Sequence, residues 1–257
     1  MKAIVLAAGQ GRRLWPFTAN CPKCLLPIGA GSILEQQLTN LEGAGIREVV
    51  LVCGFGIERI RAVLGAFRGQ LSVKLSYNPF YALADNLVSL WTVRAEMDRD
   101  FLLLNGDNVF HPQILQHLLA AQKCCCLMIR RKACYDQDDM KLHVEGGQIR
   151  AIGKALPAAQ AESVGIMRFA GEGRRCLMGV LEDLISRAGT TSKLRYVAGV
   201  QRLIDLGHPV AGLEVGELPW ADVDTPEDLR FVRRHLQLFA GGEAVAPGRL
   251  REAGARA

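Results

Sequence analysis

Four short stretches hold most of the side chains that could do chemistry. The first is Leu6-Ala7-Ala8-Gly9-Gln10-Gly11-Arg12-Arg13, which follows an apolar run. Small residues and glycines after a buried strand let backbone N–H groups approach a ligand closely, and such a nest suits phosphate oxygens. Alone, such a loop is also a plain glycine turn. The second stretch sets Lys23 between Pro22 and Pro27. The third ends an apolar run in Asn105-Gly106-Asp107. A carboxylate at the carboxyl end of a parallel strand lies where α/β sheets bind ligands. The fourth is Asp222-Val223-Asp224-Thr225-Pro226-Glu227-Asp228. Residues alternate along extended chain, so Asp222 and Asp224 share a face and Val223 points away. The same stretch reads as a helix start, with Asp224 or Thr225 as the cap before Pro226.

The elements that must position these residues follow from apolar periodicity. Ala3–Leu6, 49–52 and 101–104 are continuous apolar runs of the buried parallel type, and 71–77 alternates like a strand. Helices are predicted from Ser32, with Glu35 completing a capping box, and over 57–67 and 87–97. After about residue 123 the pattern changes. Strands are predicted at 124–131, 164–169 and 210–215, with a hairpin of 141–145 and 148–152 about Gly146-Gly147. Helices follow near 173–188, 193–206 and 226–239. The expected fold class is α/β: a Rossmann-like, mainly parallel sheet flanked by helices, with a small antiparallel annex. Residues 1–239 read as one domain. The Gly-, Ala- and Arg-rich tail 240–257 has no period and reads as flexible.

The glycine loop does not continue as a dinucleotide fingerprint, because Leu14 and Pro16 replace the helix that would follow, and no Walker A sequence is present. Residues 6 to 28 instead read L-A-A-G-x-G-x-R-L-x-P-x-T-x-x-x-P-K-x-L-L-P-I. This resembles the signature of the sugar-phosphate nucleotidyltransferase family, with Arg12 where that family usually has Ser or Thr. The 222–228 stretch resembles the family's W-x-D-V-D-T-P-E-D-L ending. The resemblance implies a GT-A-like fold and transfer of a nucleotidyl group from an NTP to a phosphorylated acceptor, with release of pyrophosphate. It makes Lys23, Arg13 and Asp107 catalytic. Leu6, Ala7, Ala8, Gly9, Gly11, Arg12, Arg13, Lys23 and Asp107 would bind the nucleotide, and Asp107 with Asp224 would hold Mg²⁺. Mg²⁺ takes one or two carboxylates together with phosphate oxygens, which suits that pair.

Where dTTP and UTP enzymes of the family carry G-T-A-x-A-L, this chain has Asn86-x-x-Ser89-Leu90. That departure resembles the subgroup making CDP-linked products from phosphocholine or aminoalkylphosphonates. It adds Asn86 and Ser89 as base contacts, though both also fit a helix start capped by Asp85 or Asn86. The partners it implies are CTP or another NTP and a small phosphorylated acceptor. Tyr81, Lys141, Lys154, Glu162 and Trp220 are the candidate acceptor residues, because aromatic faces or carboxylates can hold a quaternary ammonium and lysines a phosphate. A sugar 1-phosphate acceptor giving an NDP-sugar is the alternative within this chemistry. A catalytically silent regulatory relative is the alternative outside it, and the intact Arg13, Lys23, Asp107 and Asp224 speak against that.

Composition excludes several classes. The 257 residues are 49% hydrophobic and 22% charged, which is ordinary for a globular protein and too apolar for a disordered one. The formal charge of +5 is scattered in pairs such as Arg12-Arg13 and Arg233-Arg234, with no aromatic interleaving, so no nucleic-acid partner is expected. No membrane span and no secretory signal are read, and a cytoplasmic location is expected. Eight cysteines raise redox and zinc readings. Cys21-Pro22-Lys23-Cys24 lacks the strand-to-helix setting of a redox motif and has no second C-x-x-C to complete a zinc site. The cysteines are expected to be free thiols. The sequence leaves a homodimer open.

Overall fold

The computed structural model describes residues 1–241. In chain order the strands and helices are β1 (Lys2–Ala7), α1 (Ile33–Gly43), β2 (Glu48–Cys53), α2 (Ile57–Ala66), β3 (Ser72–Tyr77), α3 (Asn86–Thr92), β4 (Phe101–Asn105), β5 (Asn108–Phe110), α4 (Gln113–Ala120), β6 (Cys125–Arg130), β7 (Lys141–Glu145), β8 (Gln148–Gly153), β9 (Ala161–Phe169), α5 (Gly171–Ala188), α6 (Val197–Asp205), β10 (Ala211–Glu214), β11 (Trp220–Asp222) and α7 (Pro226–Arg234). Nine strands form one sheet in the order β3-β2-β1-β4-β9-β6-β10-β8-β7. Neighbours β3, β2, β1 and β4 run parallel, β9 runs antiparallel to β4 and β6, and β7 and β8 form the hairpin of the annex.

Every residue of β1 is buried. Ile4 and Leu6 enter the core on one face of the sheet, and Ala3, Val5 and Ala7 enter the core on the other. A strand covered on both faces must be apolar at successive positions, which is why the run reads as continuous. Helices α3, α5 and α6 cover the first face and α1, α2 and α4 the second. A third, smaller core gathers Leu14, Leu26, Ile28, Ile33, Val109, Val223, Leu229, Val232 and Phe239. It lies beneath the segments carrying Arg13, Lys23, Asp107 and Asp224.

The capping box of Ser32 and Glu35 forms as read. Three helices are shorter than their periodicity suggested. α3 ends at Thr92, whose hydroxyl turns back onto the Ser89 carbonyl, and a single 3₁₀ turn follows at Arg94–Glu96. α6 begins at Val197 because the preceding segment runs beside α3, with Leu87 N donating to Leu194 O and Tyr196 N to the Asn86 side chain. α7 ends at Arg234, and a separate 3₁₀ turn spans Leu236–Phe239. Most of the expected tail, from residue 242, lies outside the described residues.

Candidate active site

The glycine loop is held open by its anchors. Gly11 has φ 61°, and the Thr18 hydroxyl donates to its carbonyl at 2.7 Å. A side chain at Gly11 would crowd Lys23 and Thr18, whereas the space beside Gly9 is empty. A 3₁₀ turn at Arg12–Leu14 buries Leu14 completely in the third core and leaves Arg12 and Arg13 outside. A second turn, Lys23–Leu25, buries Cys24 and Leu25 and leaves the Lys23 side chain to reach Asp107 and Asp224. The prolines around it keep the rest of the segment irregular.

Asp107 is positioned from three sides. Gly106 N donates to Leu6 O of β1 at 2.9 Å, and any Cβ at 106 would strike that carbonyl and Ala7. From α1, buried Gln37 donates to both Asn105 O and Asn108 O at 2.8 Å. From the other side, Val223 N donates to Asp107 O at 3.1 Å, continuing the two-stranded pairing in which Asp222 lies opposite Asn108. That small sheet brings two sequence-distant aspartates together. Val223 is fully buried, and the Thr225–Asp228 capping box then starts α7.

The charged groups form one connected array. Lys23 Nζ lies 2.5 Å from Asp107 Oδ2 and 2.5 Å from Asp224 Oδ1. Arg13 reaches Asp224 Oδ2 at 2.7 Å and Asp138 Oδ2 at 3.3 Å, and Lys154 meets the same Asp138 at 2.8 Å. Burial alone would lower the Lys23 ammonium, but Asp107 and Asp224 more than offset it and hold its pKa above the ordinary lysine value. Asp224 is partly desolvated, yet Lys23 and Arg13 bring its carboxyl below the usual carboxylate range. Asp222 goes the other way: burial, then Asp107 and Asp224 beside it, push its pKa far up, and Asn108 Nδ2 donates to it. Asp107 Oδ1 is buried without a hydrogen-bond partner. Two carboxylates already gathered around one cation, with an acceptor oxygen to spare, fit a hard divalent ion that completes its shell with phosphate oxygens. Among the described residues no group of three His, Cys, Asp or Glu side chains makes a closed metal cage.

Other sequence candidates lie around this array or away from it. Leu6 and Ala7 end β1 and Ala8 follows it, all three buried. Arg12 is exposed and bonds Gln10. Lys141 donates to Lys154 O at 2.8 Å, steadying Lys154 beside Asp138. Asn86 accepts from Tyr196 N. Ser89 is corrected from a base contact to a buried support: it is 4% exposed, and its hydroxyl accepts from fully buried Asn78 at 2.9 Å. Glu162 is likewise buried in an internal pair, 2.9 Å from Lys132, which also meets Asp139. Trp220 lies across from Phe110 and is partly buried against the sheet's core. Tyr81 lies against Gly54, beside the Ala8 carbonyl. Sequence reasoning missed Asn108, Asn78 and the clamp role of Gln37. A glutamine on the apolar face of α1 was the available signal for Gln37. All eight cysteines are free, as expected.

A mixed α/β sheet, parallel from β3 to β4, with a glycine loop, a lysine and an aspartate pair at the carboxyl edge of its parallel strands, is the arrangement of a nucleotidyltransferase-type domain. Residues 3–168 match the MobA-like NTP transferase domain, and the chain belongs to that family. It is 30% identical over 239 residues to the CMP-5′-(3-aminopropyl)phosphonate synthase of Streptomyces rubellomurinus, covering 90% of this chain and 38% of that protein. It is 32% identical over 108 residues to the choline-phosphate cytidylyltransferase of Streptococcus pneumoniae, covering 42% of this chain and 45% of that one. The chain thus aligns with less than half the length of either relative. The solved CTP:phosphocholine cytidylyltransferase of Streptococcus pneumoniae superposes with a TM-score of 0.74 at 21% identity, over 91% of this chain and 98% of that one, a likeness of fold. Among the described residues no helix is long and apolar enough to cross a membrane.

Proposed function

We propose that this chain transfers the cytidylyl group of CTP to a small acceptor bearing a phosphate or phosphonate, with Mg²⁺, giving a CDP- or CMP-linked product and pyrophosphate. The observation that carries the reading is the Lys23 ammonium held between Asp107 and Asp224, beside the Gly9–Gly11 loop. The choice of CTP and of an amino-bearing acceptor is supported by the names of the two relatives, one acting on choline phosphate and one forming an aminopropylphosphonate conjugate. Free thiols throughout the chain accord with a reducing, cytoplasmic setting.

The reaction joins two polyanions, so charge neutralisation and in-line placement carry most of the catalysis. An acceptor oxygen forms a bond to the α-phosphorus while the bond from that phosphorus to the bridging oxygen of the β-phosphate breaks, its electron pair leaving with pyrophosphate. No base is required for a phosphate acceptor, whose second pKa is about 6. Backbone N–H groups of the loop and Arg13 receive the β- and γ-phosphates. Lys23 serves the α-phosphate and the incoming oxygen. Asp107 and Asp224 are the residues that would hold Mg²⁺, which supplies further neutralisation of phosphate charge. Lys154, steadied by Lys141, anchors the acceptor anion, and Asn86 offers its amide to the base.

The test is pyrophosphate release with Mg²⁺ across the four NTPs against phosphocholine, phosphoethanolamine, 2-aminoethylphosphonate and glucose 1-phosphate. Release confined to CTP with an amino-bearing acceptor is expected. Release with UTP or dTTP and glucose 1-phosphate would assign the chain to NDP-sugar synthesis instead. Absence of both turnover and nucleotide binding would leave the silent-relative reading.

A further inference from the structure

Tyr77 closes β3, and Tyr81 lies in the loop joining β3 to α3. Their rings meet edge to face, centroids 6.3 Å apart and planes inclined by 60°. Aromatic residues in loops commonly cover a core, but neither ring is among those packed on the three cores, and Tyr77 is 50% exposed. Two aromatics kept at the surface in a fixed pair call for another explanation.

Their location supplies one. The Cβ and Cγ of Tyr81 lie directly over Gly54, just past β2, beside the Ala8 carbonyl; any side chain at 54 would overlap both. Gly54 is therefore the gap that lets Tyr81 lie against the start of the phosphate loop. The segment around it is fixed. Asn78 N donates to Cys53 O at 2.8 Å, Asn78 Nδ2 to Ser89, and Asn78 Oδ1 accepts from Phe80 N at 2.9 Å. The Lys23 ammonium reaches away from this segment to Asp107, just past β4, and to Asp224, while Lys154, just past β8, meets Asp138. With the reacting phosphorus near Lys23 and the acceptor anion toward Lys154, the flank beside Tyr81 is left for the nucleoside.

We propose that Tyr81, backed by the edge of Tyr77, is the platform on which the nucleobase of the NTP stacks. Tyr81 then governs nucleotide affinity and not, as sequence alone suggested, the acceptor. This rests on the NTP-transfer reading above. Every base has a π face, so a stacking platform raises affinity without choosing among bases. Base choice then falls to polar groups such as Asn86.

The experiment is calorimetric titration of the full chain with CTP and with UTP, without acceptor, alongside steady-state KM for both substrates. Tyr81→Ala should weaken CTP and UTP by the same factor, about tenfold or more, the scale of base–aromatic stacking. Tyr81→Phe, which keeps the ring and drops the hydroxyl, should bind like wild type and serves as the folded control. The acceptor KM should not move in either variant. Wild-type nucleotide binding by Tyr81→Ala, or a change confined to the acceptor KM, overturns the proposal while the transferase reading stands. Wild-type protein that binds no nucleotide overturns both.

Discussion

Lys23 has two tasks that meet in one ammonium: it neutralises Asp107 and Asp224 in the free protein, and in the proposed reaction it serves the α-phosphate. Only 14% of its side chain is exposed, so little water stands ready to replace it. Removing one partner from a buried ion cluster costs about 3–5 kcal/mol, because the charges left behind lose their compensation. Lys23→Met should therefore lower stability by a few kcal/mol and also cut kcat by about 10²-fold or more. Mg²⁺ separates the two effects in thermal denaturation. Added Mg²⁺ should raise the midpoint of Lys23→Met more than that of wild type, since the variant offers the aspartate pair with no internal cation. Equal shifts would mean that the pair is not where the metal binds. Asp107→Asn should lose activity to a similar degree while losing less stability, because Asp224 still pairs with Lys23.

At the scale of elements, the Asn86-x-x-Ser89 pattern that distinguishes this chain acts partly from underneath. Its serine is the foot of a strut whose other end is Asn78, eleven positions earlier and across a turn. Sequence periodicity could place Ser89 on a helix, but not tell which side chain would face it, since the 78–85 loop has no period. The short strands β5 and β11 were hidden for a similar reason: three residues are too few to display alternation. Their pairing is nonetheless what joins Asp107 to Asp224. Asn78→Ala should cost about 1–3 kcal/mol, leaving buried polar groups of Ser89 and the loop unpaired. It should also raise the KM for the nucleotide by loosening the loop. Asn78→Ala and Ser89→Ala should be non-additive in denaturant unfolding, with a coupling energy of about 0.5 kcal/mol or more. Additive losses would show that the two side chains stabilise the chain independently.

Across the whole molecule, what was legible from sequence is what local pattern controls: the buried parallel strands, the glycine hairpin of the annex, the Ser32–Glu35 capping box and the helix start before Pro226. Long-range placement was not legible. Nothing near Glu162 or Trp220 in sequence tells that Lys132 waits beside the first or that the second packs on the core. Glu162 lies on β9, opposite Arg130 of β6 and Lys141 of β7, where the two halves of the sheet join. Burial pushes its pKa up to about 7 from an ordinary value of 4.5, against the opposing pull of Lys132. An acid whose folded pKa lies above its unfolded one keeps a proton in the folded state that the unfolded chain has released. Stability from this group is therefore fully present below about pH 4.5, falls as pH rises through that window, and is lost above about pH 7. The change is on the order of 3 kcal/mol. Glu162→Gln cannot release that proton. Denaturant unfolding at pH 5 and pH 8 should thus give a fall in stability for wild type that exceeds the fall for Glu162→Gln by up to about that amount, every other titrating group being common to both. Parallel profiles would mean that Lys132 keeps Glu162 ionised at both pH values and that the junction is held by a permanent ion pair.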